Sequence, residues 1–102
     1  MWSYCWTLKT RCGGFKRYIS GGLNCSIVEP RSVFRSAIVA GNIASILIGH
    51  NHPSGDCTPS NEDIAVTRKL VEGGKILGID VLDHVIVGED GAYVSFREKG
   101  LI

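Results

Sequence analysis

The sequence contains no long hydrophobic run, and this absence excludes one broad class of protein. No stretch approaches the ~20 apolar residues that a helix needs to cross a bilayer, and the first residues lack the pattern of a secretory signal. The formal net charge is only +1, so no global field attracts the chain to nucleic acid or to an anionic membrane. We therefore expect a cytoplasmic protein that neither enters a membrane nor binds nucleic acid directly through this domain.

The sequence also lacks a Cys-x-x-Cys pair. Without such a pair it offers neither a zinc ribbon nor a thioredoxin-type redox site. In a cytoplasmic protein, reduced thiols are the simplest interpretation of Cys5, Cys12, Cys25 and Cys57, and a scaffold of two disulfides is the alternative.

Length and composition fit one small folded domain. The 102 residues include 44% hydrophobic and 21% charged side chains, the usual balance for a globular chain. A chain of this size builds one hydrophobic core and has no room for a second module. We therefore expect residues 1–102 to form a single domain.

Turn residues and hydrophobic spacing predict a layered α/β core. The predicted strands cover residues 1–8, 15–20, 43–49, 79–87 and 92–96. One predicted helix begins at Pro30, and a second is capped by Ser60 and ends before Gly78. The spacing assigns a core-facing stripe to each helix: Val33, Phe34, Ala37, Ile38 and Gly41 in the first, and Asp63, Val66, Leu70, Gly73 and Leu77 in the second.

Two histidines follow the third predicted strand. If that strand continues through His52, the side chains of His50 and His52 share a face with Ile46 and Ile48, because strand side chains alternate. Neutral imidazole is a frequent zinc ligand, and a His-x-His pair at a strand end supplies two ligands at one point. The alternative is a pair of loop histidines that hydrogen-bond to the backbone.

Asp63 heads the core-facing stripe of the second helix, so its carboxylate is predicted to point inward. An ionised carboxylate is costly to bury without compensation, and a divalent metal held by His50 and His52 would compensate it. Two histidines, one carboxylate and a water form the kind of four-coordinate site that catalytic zinc occupies. Zinc in such a site activates water near neutral pH and polarises a carbonyl, as amide hydrolysis requires.

Ser60 is the candidate donor to the oxyanion that amide hydrolysis creates. Ser60 and Asp63 also match a helix-capping pattern, which by itself explains both residues without any chemistry. Only the joint pattern with the histidines favours a metal site.

The joint pattern carries a family resemblance. His50-x-His52, followed after seven residues by Ser60 and after two more by Asp63, resembles the JAMM metal motif of the JAB/MPN family. The longer string His-Asn-His-Pro-Ser-Gly-Asp-x-x-Pro-Ser-x-x-Asp, with Leu82-Asp83-His84 downstream, resembles the RadC-like branch. The resemblance extends over residues 21–102 and becomes vague nearer the start.

This resemblance implies a mixed β-sheet flanked by helices, with Zn²⁺ bound by His50, His52 and Asp63 and with Ser60 as the transition-state stabiliser. Relatives in the wider family cleave peptide or isopeptide bonds, so it implies a zinc-dependent hydrolase of that type. The RadC-like branch also has a historical link to DNA repair.

The sequence departs from the family pattern at its start. Family enzymes use a glutamate ahead of the first strand as general base, and that position falls at or before Met1, while Glu29 and Glu62 lie in other segments. Loss of a general base commonly slows a reaction ~10²–10⁴-fold. We therefore expect a truncated N-terminal strand and no helix-hairpin-helix region, and the alternative function is an impaired domain that serves as an interaction module in a DNA-repair or mobile-element context.

A second departure is Cys57, where the RadC-like branch usually has proline. Its thiol is either a soft metal ligand or oxidation target, or an inert loop cysteine.

Two competing hydrolases are weaker interpretations of the same residues. The His-Asn-His string is consecutive, whereas the residues of an HNH nuclease motif are spread over a strand-strand-helix unit. A triad of Ser54, Asp83 and His84 lacks the Gly-x-Ser-x-Gly elbow that presents a nucleophilic serine. His84 alternates with Leu82 and Ile86, which favours a packed core histidine, with a role beside the zinc ligands as the alternative.

Overall fold

A mixed five-stranded sheet and two helices form the architecture of the computed structural model, which describes residues 4–20, 29–51, 57–88 and 91–102. The elements in chain order are β1 (Tyr4–Thr10), β2 (Phe15–Ser20), α1 (Pro30–Ala40), β3 (Ile43–Asn51), α2 (Asn61–Leu77), β4 (Asp80–Val87) and β5 (Tyr93–Ser95). The strand order is β2-β1-β3-β4-β5. The pair β3–β4 is parallel and the other pairs are antiparallel, which confirms the predicted α/β class.

The helix ends follow the capping residues in the sequence. Pro30 occupies the first turn of α1, where its missing N–H costs nothing. Ser60 caps α2, and Gly78 ends it with a left-handed backbone that a side chain would disfavour. These local signals explain why both predicted helices are confirmed within a residue or two.

Both helices pack on the same face of the sheet. The core cluster combines side chains from β1, α1, β3, α2 and the start of β4: Trp6, Leu8, Val33, Phe34, Ala37, Ile43, Ile46, Ile48, Leu70, Ile79 and Val81. Since α2 connects the parallel strands β3 and β4, its N-terminus lies beside the carboxyl end of β3. Ligands of open α/β sheets bind at such carboxyl ends.

The sequence-based assignment of the core is corrected at several positions. Gly41 is the exposed C-cap of α1 and not part of its buried face. Ile38 is 62% exposed and Leu77 is 46% exposed, because each lies at the margin of its helical stripe. The buried face of α2 instead carries Thr67. Leu47, inside the third predicted strand, has a side chain that points away from the helices and is 41% exposed.

A β-bulge in β4 determines which side chains of this strand enter the core. Ile46 pairs with Val81, but the next residue, Leu47, pairs with Asp83, so Leu82 has no counterpart in the ladder. The extra residue switches the alternation and places His84 on the buried face. The prediction that Leu82 shares a face with His84 was wrong, because the bulge interrupts the alternation of side chains between Leu82 and His84.

We predict that Gly74→Ala destabilises the domain although alanine is the better helix former. A Cβ at Gly74 would lie 2.2 Å from the backbone oxygen of Ile79, which cannot yield as a flexible side chain does. The expected loss is more than ~2 kcal/mol of unfolding free energy in urea titrations. Glu72→Ala, an exposed change in the same helix, is the control and should shift stability by less than about 0.5 kcal/mol. A Gly74→Ala protein as stable as wild type would contradict this packing.

Candidate metal centre

His50 lies next to the last residue of β3, on the face of the sheet that the helices cover. Ile46, Ile48 and His50 alternate along this face and are all buried, as predicted from the period of a strand. The imidazole therefore points toward the N-terminus of α2 rather than into solvent. His52, the second predicted histidine ligand, lies outside the described residues.

Asp63 occupies the first turn of α2 and is fixed by a capping box. Its backbone N–H donates to Ser60 Oγ at 3.1 Å, and its Oδ2 accepts the Ser60 backbone N–H at 2.9 Å. A carboxylate in this position also complements the positive end of the helix dipole. The capping interpretation of Ser60 and Asp63 is therefore confirmed. The capping box uses Oδ2 of Asp63 and does not use Oδ1.

Asp63 Oδ1 lies 3.3 Å from His50 Nδ1, within a pair of side chains that are almost fully buried. This separation is longer than the about 2.7–2.9 Å of a charge-assisted hydrogen bond. Two ligand atoms on one tetrahedral zinc, each bonded at about 2.0 Å, lie about 3.3 Å apart. The imidazole and the carboxylate thus fit adjacent corners of a zinc coordination shell.

These two residues account for only part of a metal shell. Within residues 4–20, 29–51, 57–88 and 91–102, no group of three or more His, Cys, Asp or Glu side chains is arranged to hold a metal ion. The donors that the described part does bring together are one imidazole and one carboxylate, the types that zinc accepts.

The Ser60 hydroxyl can cap the helix and donate a hydrogen bond to a ligand at the same time. Its oxygen accepts from Asp63 N–H, but its own hydroxyl proton donates in none of the hydrogen bonds found in the described part of the chain. The side chain is exposed, next to the buried pair. A serine hydroxyl accepts and donates at the same time, so capping does not consume the donor that an oxyanion would need.

The comparison with known proteins decides the family. The family model for the RadC-like JAB domain matches residues 1–101, nearly the whole chain. The chain belongs to the RadC-like JAB domain family. The match includes the first strand pair, where the sequence resemblance was vague.

Curated relatives that this RadC-like JAB domain matches include several UPF0758 proteins. The identity is 66% for a protein of Methanococcoides burtonii, 61% for one of Methanosarcina mazei and 58% for one of Syntrophomonas wolfei, each over 82 residues. These matches cover 80% of the chain and 34–35% of the relatives. The chain therefore spans about a third of the length of these curated relatives.

Within the described residues, the remaining candidates of the RadC-like JAB domain do not join the His50–Asp63 pair in a group that could hold a metal ion. Glu29 precedes α1, and Glu62 is exposed in the first turn of α2. Cys57 is half-buried, and no disulfide joins it to Cys5 or Cys12, while Cys25 lies outside the described residues. In the described part of the chain, neither helix has the length and apolar character of a membrane span.

Within the described residues, Asp83 and His84 are not arranged as the acid and base of the predicted Ser54–Asp83–His84 triad. Ser54 lies outside the described residues. Asp83 accepts the backbone N–H groups of His84 and Arg97 and the Ser95 hydroxyl, and its carboxylate does not orient the imidazole. The His84 ring instead contacts Thr67, with 2.6 Å between Nδ1 and Oγ1.

Sequence reasoning missed Thr67. Its hydroxyl donates to the backbone oxygen of Asp63 at 2.7 Å and also meets the imidazole of His84. The available signal was its position four residues after Asp63, on the same helical face. The apolar spacing assigned the neighbouring Val66 to the core-facing stripe of the helix instead.

We predict that Ser60→Ala lowers the unfolding free energy by about 1 kcal/mol, because it removes the N-cap acceptor of α2. Urea denaturation of the metal-free protein measures this loss without any contribution from a ligand. Asn61→Ala, at the next and exposed position, is the matched control and should cost less than about 0.5 kcal/mol. Equal stabilities of the Ser60→Ala and Asn61→Ala proteins would contradict the capping geometry.

Proposed function

We propose that this RadC-like JAB domain is a zinc-dependent hydrolase that cleaves an amide bond in a peptide or isopeptide. In this proposal His50, His52 and Asp63 hold the metal and Ser60 assists the reaction. The observation that carries it is the 3.3 Å separation of His50 Nδ1 and Asp63 Oδ1 at the carboxyl end of β3.

Burial supports a cation between these two side chains. Asp63 is 3% exposed and His50 is 6% exposed, so water cannot solvate a carboxylate charge here. The Ser60 N–H satisfies Oδ2 and leaves Oδ1 beside the imidazole. A divalent cation compensates such a charge more effectively than a neutral imidazole does, since an uncompensated buried charge is strongly destabilising.

The donor types support zinc over calcium or magnesium. Imidazole nitrogen suits zinc, whereas calcium and magnesium prefer shells made of oxygen alone. Two histidines and one carboxylate leave one position of a tetrahedral shell exchangeable, as in catalytic zinc sites. His52 is the residue proposed for the second imidazole because it lies two positions after His50 in the sequence.

When bound, zinc supplies a water of lowered pKa and polarises the carbonyl of the scissile amide. The chain contributes the orientation of the proposed ligands and a hydrogen-bond donor. The capping box and the end of β3 hold Asp63 and His50 in fixed orientations, so these two side chains need not reorganise as charge develops. In the proposed reaction the exposed Ser60 hydroxyl donates a hydrogen bond to the oxygen that becomes negatively charged.

We expect about one zinc per chain in the purified, zinc-loaded protein by elemental analysis. His50→Ala and Asp63→Asn should each lose the metal, because each removes a donor of the pair. Asp63→Asn keeps the shape of the side chain, so loss of zinc would reflect the carboxylate rather than packing. Asp80→Asn, which removes an exposed carboxylate at the start of β4, is the matched control and should retain zinc.

Circular dichroism of each variant establishes that it is folded. A folded wild-type protein that binds no zinc even after loading would overturn the proposed function. Loss of zinc in Cys57→Ser but not in Asp63→Asn would replace the carboxylate by the thiol as a ligand.

We also expect Ser60→Ala to separate metal binding from catalysis. The variant should bind zinc more weakly, because the cap that fixes Asp63 is lost, but it should still carry about one zinc per chain at saturating zinc, because the Ser60 side chain is not a proposed ligand. On any peptide or isopeptide that the zinc-loaded wild type cleaves, it should lower kcat about 10²–10³-fold, as for loss of an oxyanion donor. Ser60→Thr keeps a hydroxyl and should retain most of the rate. Equal rates for Ser60→Ala and wild type would remove Ser60 from the mechanism.

A further inference from the structure

His84 and Thr67 form a buried contact behind the His50–Asp63 pair. Both side chains are almost inaccessible to solvent, and His84 Nδ1 lies 2.6 Å from Thr67 Oγ1. The rings of His84 and His50 are 6.0 Å apart between centroids. The contact therefore adjoins the proposed metal centre without supplying one of its proposed ligands.

The hydroxyl of Thr67 fixes the tautomer of His84. Thr67 has one hydroxyl proton, and this proton is donated to the backbone oxygen of Asp63 at 2.7 Å. The short contact to His84 must then use a proton on the ring, so Nδ1–H of His84 donates to Thr67 Oγ1. A neutral imidazole has only one ring proton, so a neutral His84 with this contact is the Nδ1–H tautomer.

The two hydrogen bonds form a directed chain from β4 to α2. The proton donors run from His84 to Thr67 and from Thr67 to Asp63, across 17 and four residues of sequence. This chain of hydrogen bonds ends on the backbone oxygen of Asp63, and the side-chain Oδ1 of Asp63 faces His50. It ties the first turn of α2 to the parallel neighbour of β3, the strand that carries His50.

The end of the sheet holds the His84 ring firmly. The bulge at Leu82 turns the ring toward α2, and Phe96 stacks on it with 4.4 Å between centroids and an angle of 18°. Asp83 accepts the Arg97 N–H at 3.0 Å and the Ser95 hydroxyl, which fixes the segment around Phe96. The ring is therefore held by the stacked Phe96 on one face and by Thr67 at Nδ1.

We infer that Thr67 and His84 are positioning residues that set the orientation of Asp63 for metal binding. The inference rests on the proposed function, since it assigns Asp63 to the metal. Thr67 acts through the Asp63 backbone, and His84 acts through Thr67. Groups that orient metal ligands typically change metal affinity 10–100-fold when they are removed, although they never touch the metal.

The test compares Thr67→Val with Thr67→Ser in the whole chain. Valine keeps the size of threonine but cannot bond to Asp63 or His84, whereas serine keeps the hydroxyl. Zinc affinity is measured by competition with a chromophoric chelator. We expect about tenfold weaker binding for Thr67→Val and about the wild-type affinity for Thr67→Ser.

Val33→Ala controls for lost stability. Val33 is fully buried in the same core but belongs to α1, and its truncation destabilises the fold without touching the hydrogen-bond chain. Its zinc affinity should equal that of wild type. His84→Phe tests the other end of the chain, because it retains an aromatic ring to stack on Phe96 and removes the ring proton; it should weaken zinc binding as Thr67→Val does.

Long-range ¹H–¹⁵N NMR spectra of the metal-free protein provide a readout independent of metal binding. Protonated Nδ1 and unprotonated Nε2 of His84 are expected. An Nε2–H tautomer, or equal zinc affinity of Thr67→Val and wild type, would overturn the inference alone. A wild-type protein that binds no zinc would overturn the proposed function and, with it, this role of the two residues.

Discussion

The buried carboxylate of Asp63 is the constraint on which the rest of this structure depends. A charge removed from water needs compensation by donors or by a cation, or it destabilises the fold. The structure supplies one donor from the Ser60 backbone and an imidazole edge 3.3 Å from the other oxygen. The arrangement stabilises the helix start and leaves a carboxylate oxygen directed at His50.

Two local features of the fold bring Asp63 and His50 together. A parallel β3–α2–β4 unit places a helix N-terminus beside the carboxyl end of a strand, and the capping box orients Asp63 in that helix. A bulge then turns His84 of the neighbouring strand toward the same helix. Ser60 caps α2 through its oxygen, and none of the hydrogen bonds within the described residues uses its hydroxyl proton, so its proposed functional role is compatible with its structural one.

Much of this could be predicted from sequence because the responsible signals are local. Strand alternation placed His50 with Ile46 and Ile48, and capping residues located α2 and Asp63. The Thr67–His84 contact could not be predicted, because it depends on a bulge and on the register of two strands far apart in sequence. Apolar spacing also failed at Ile38 and Leu77, since periodicity does not reveal where a buried face ends. The role of His52 stays a prediction.

X-ray absorption at the zinc edge of the loaded protein identifies the atoms bound to the metal. We expect a first shell of nitrogen and oxygen atoms at about 2.0–2.1 Å, with imidazole scattering from two histidines. The imidazole signal should fall by half in His52→Ala if that variant retains the metal through the remaining ligands. A sulfur shell at about 2.3 Å would contradict the account, because it would place a cysteine where Asp63 or a histidine is proposed.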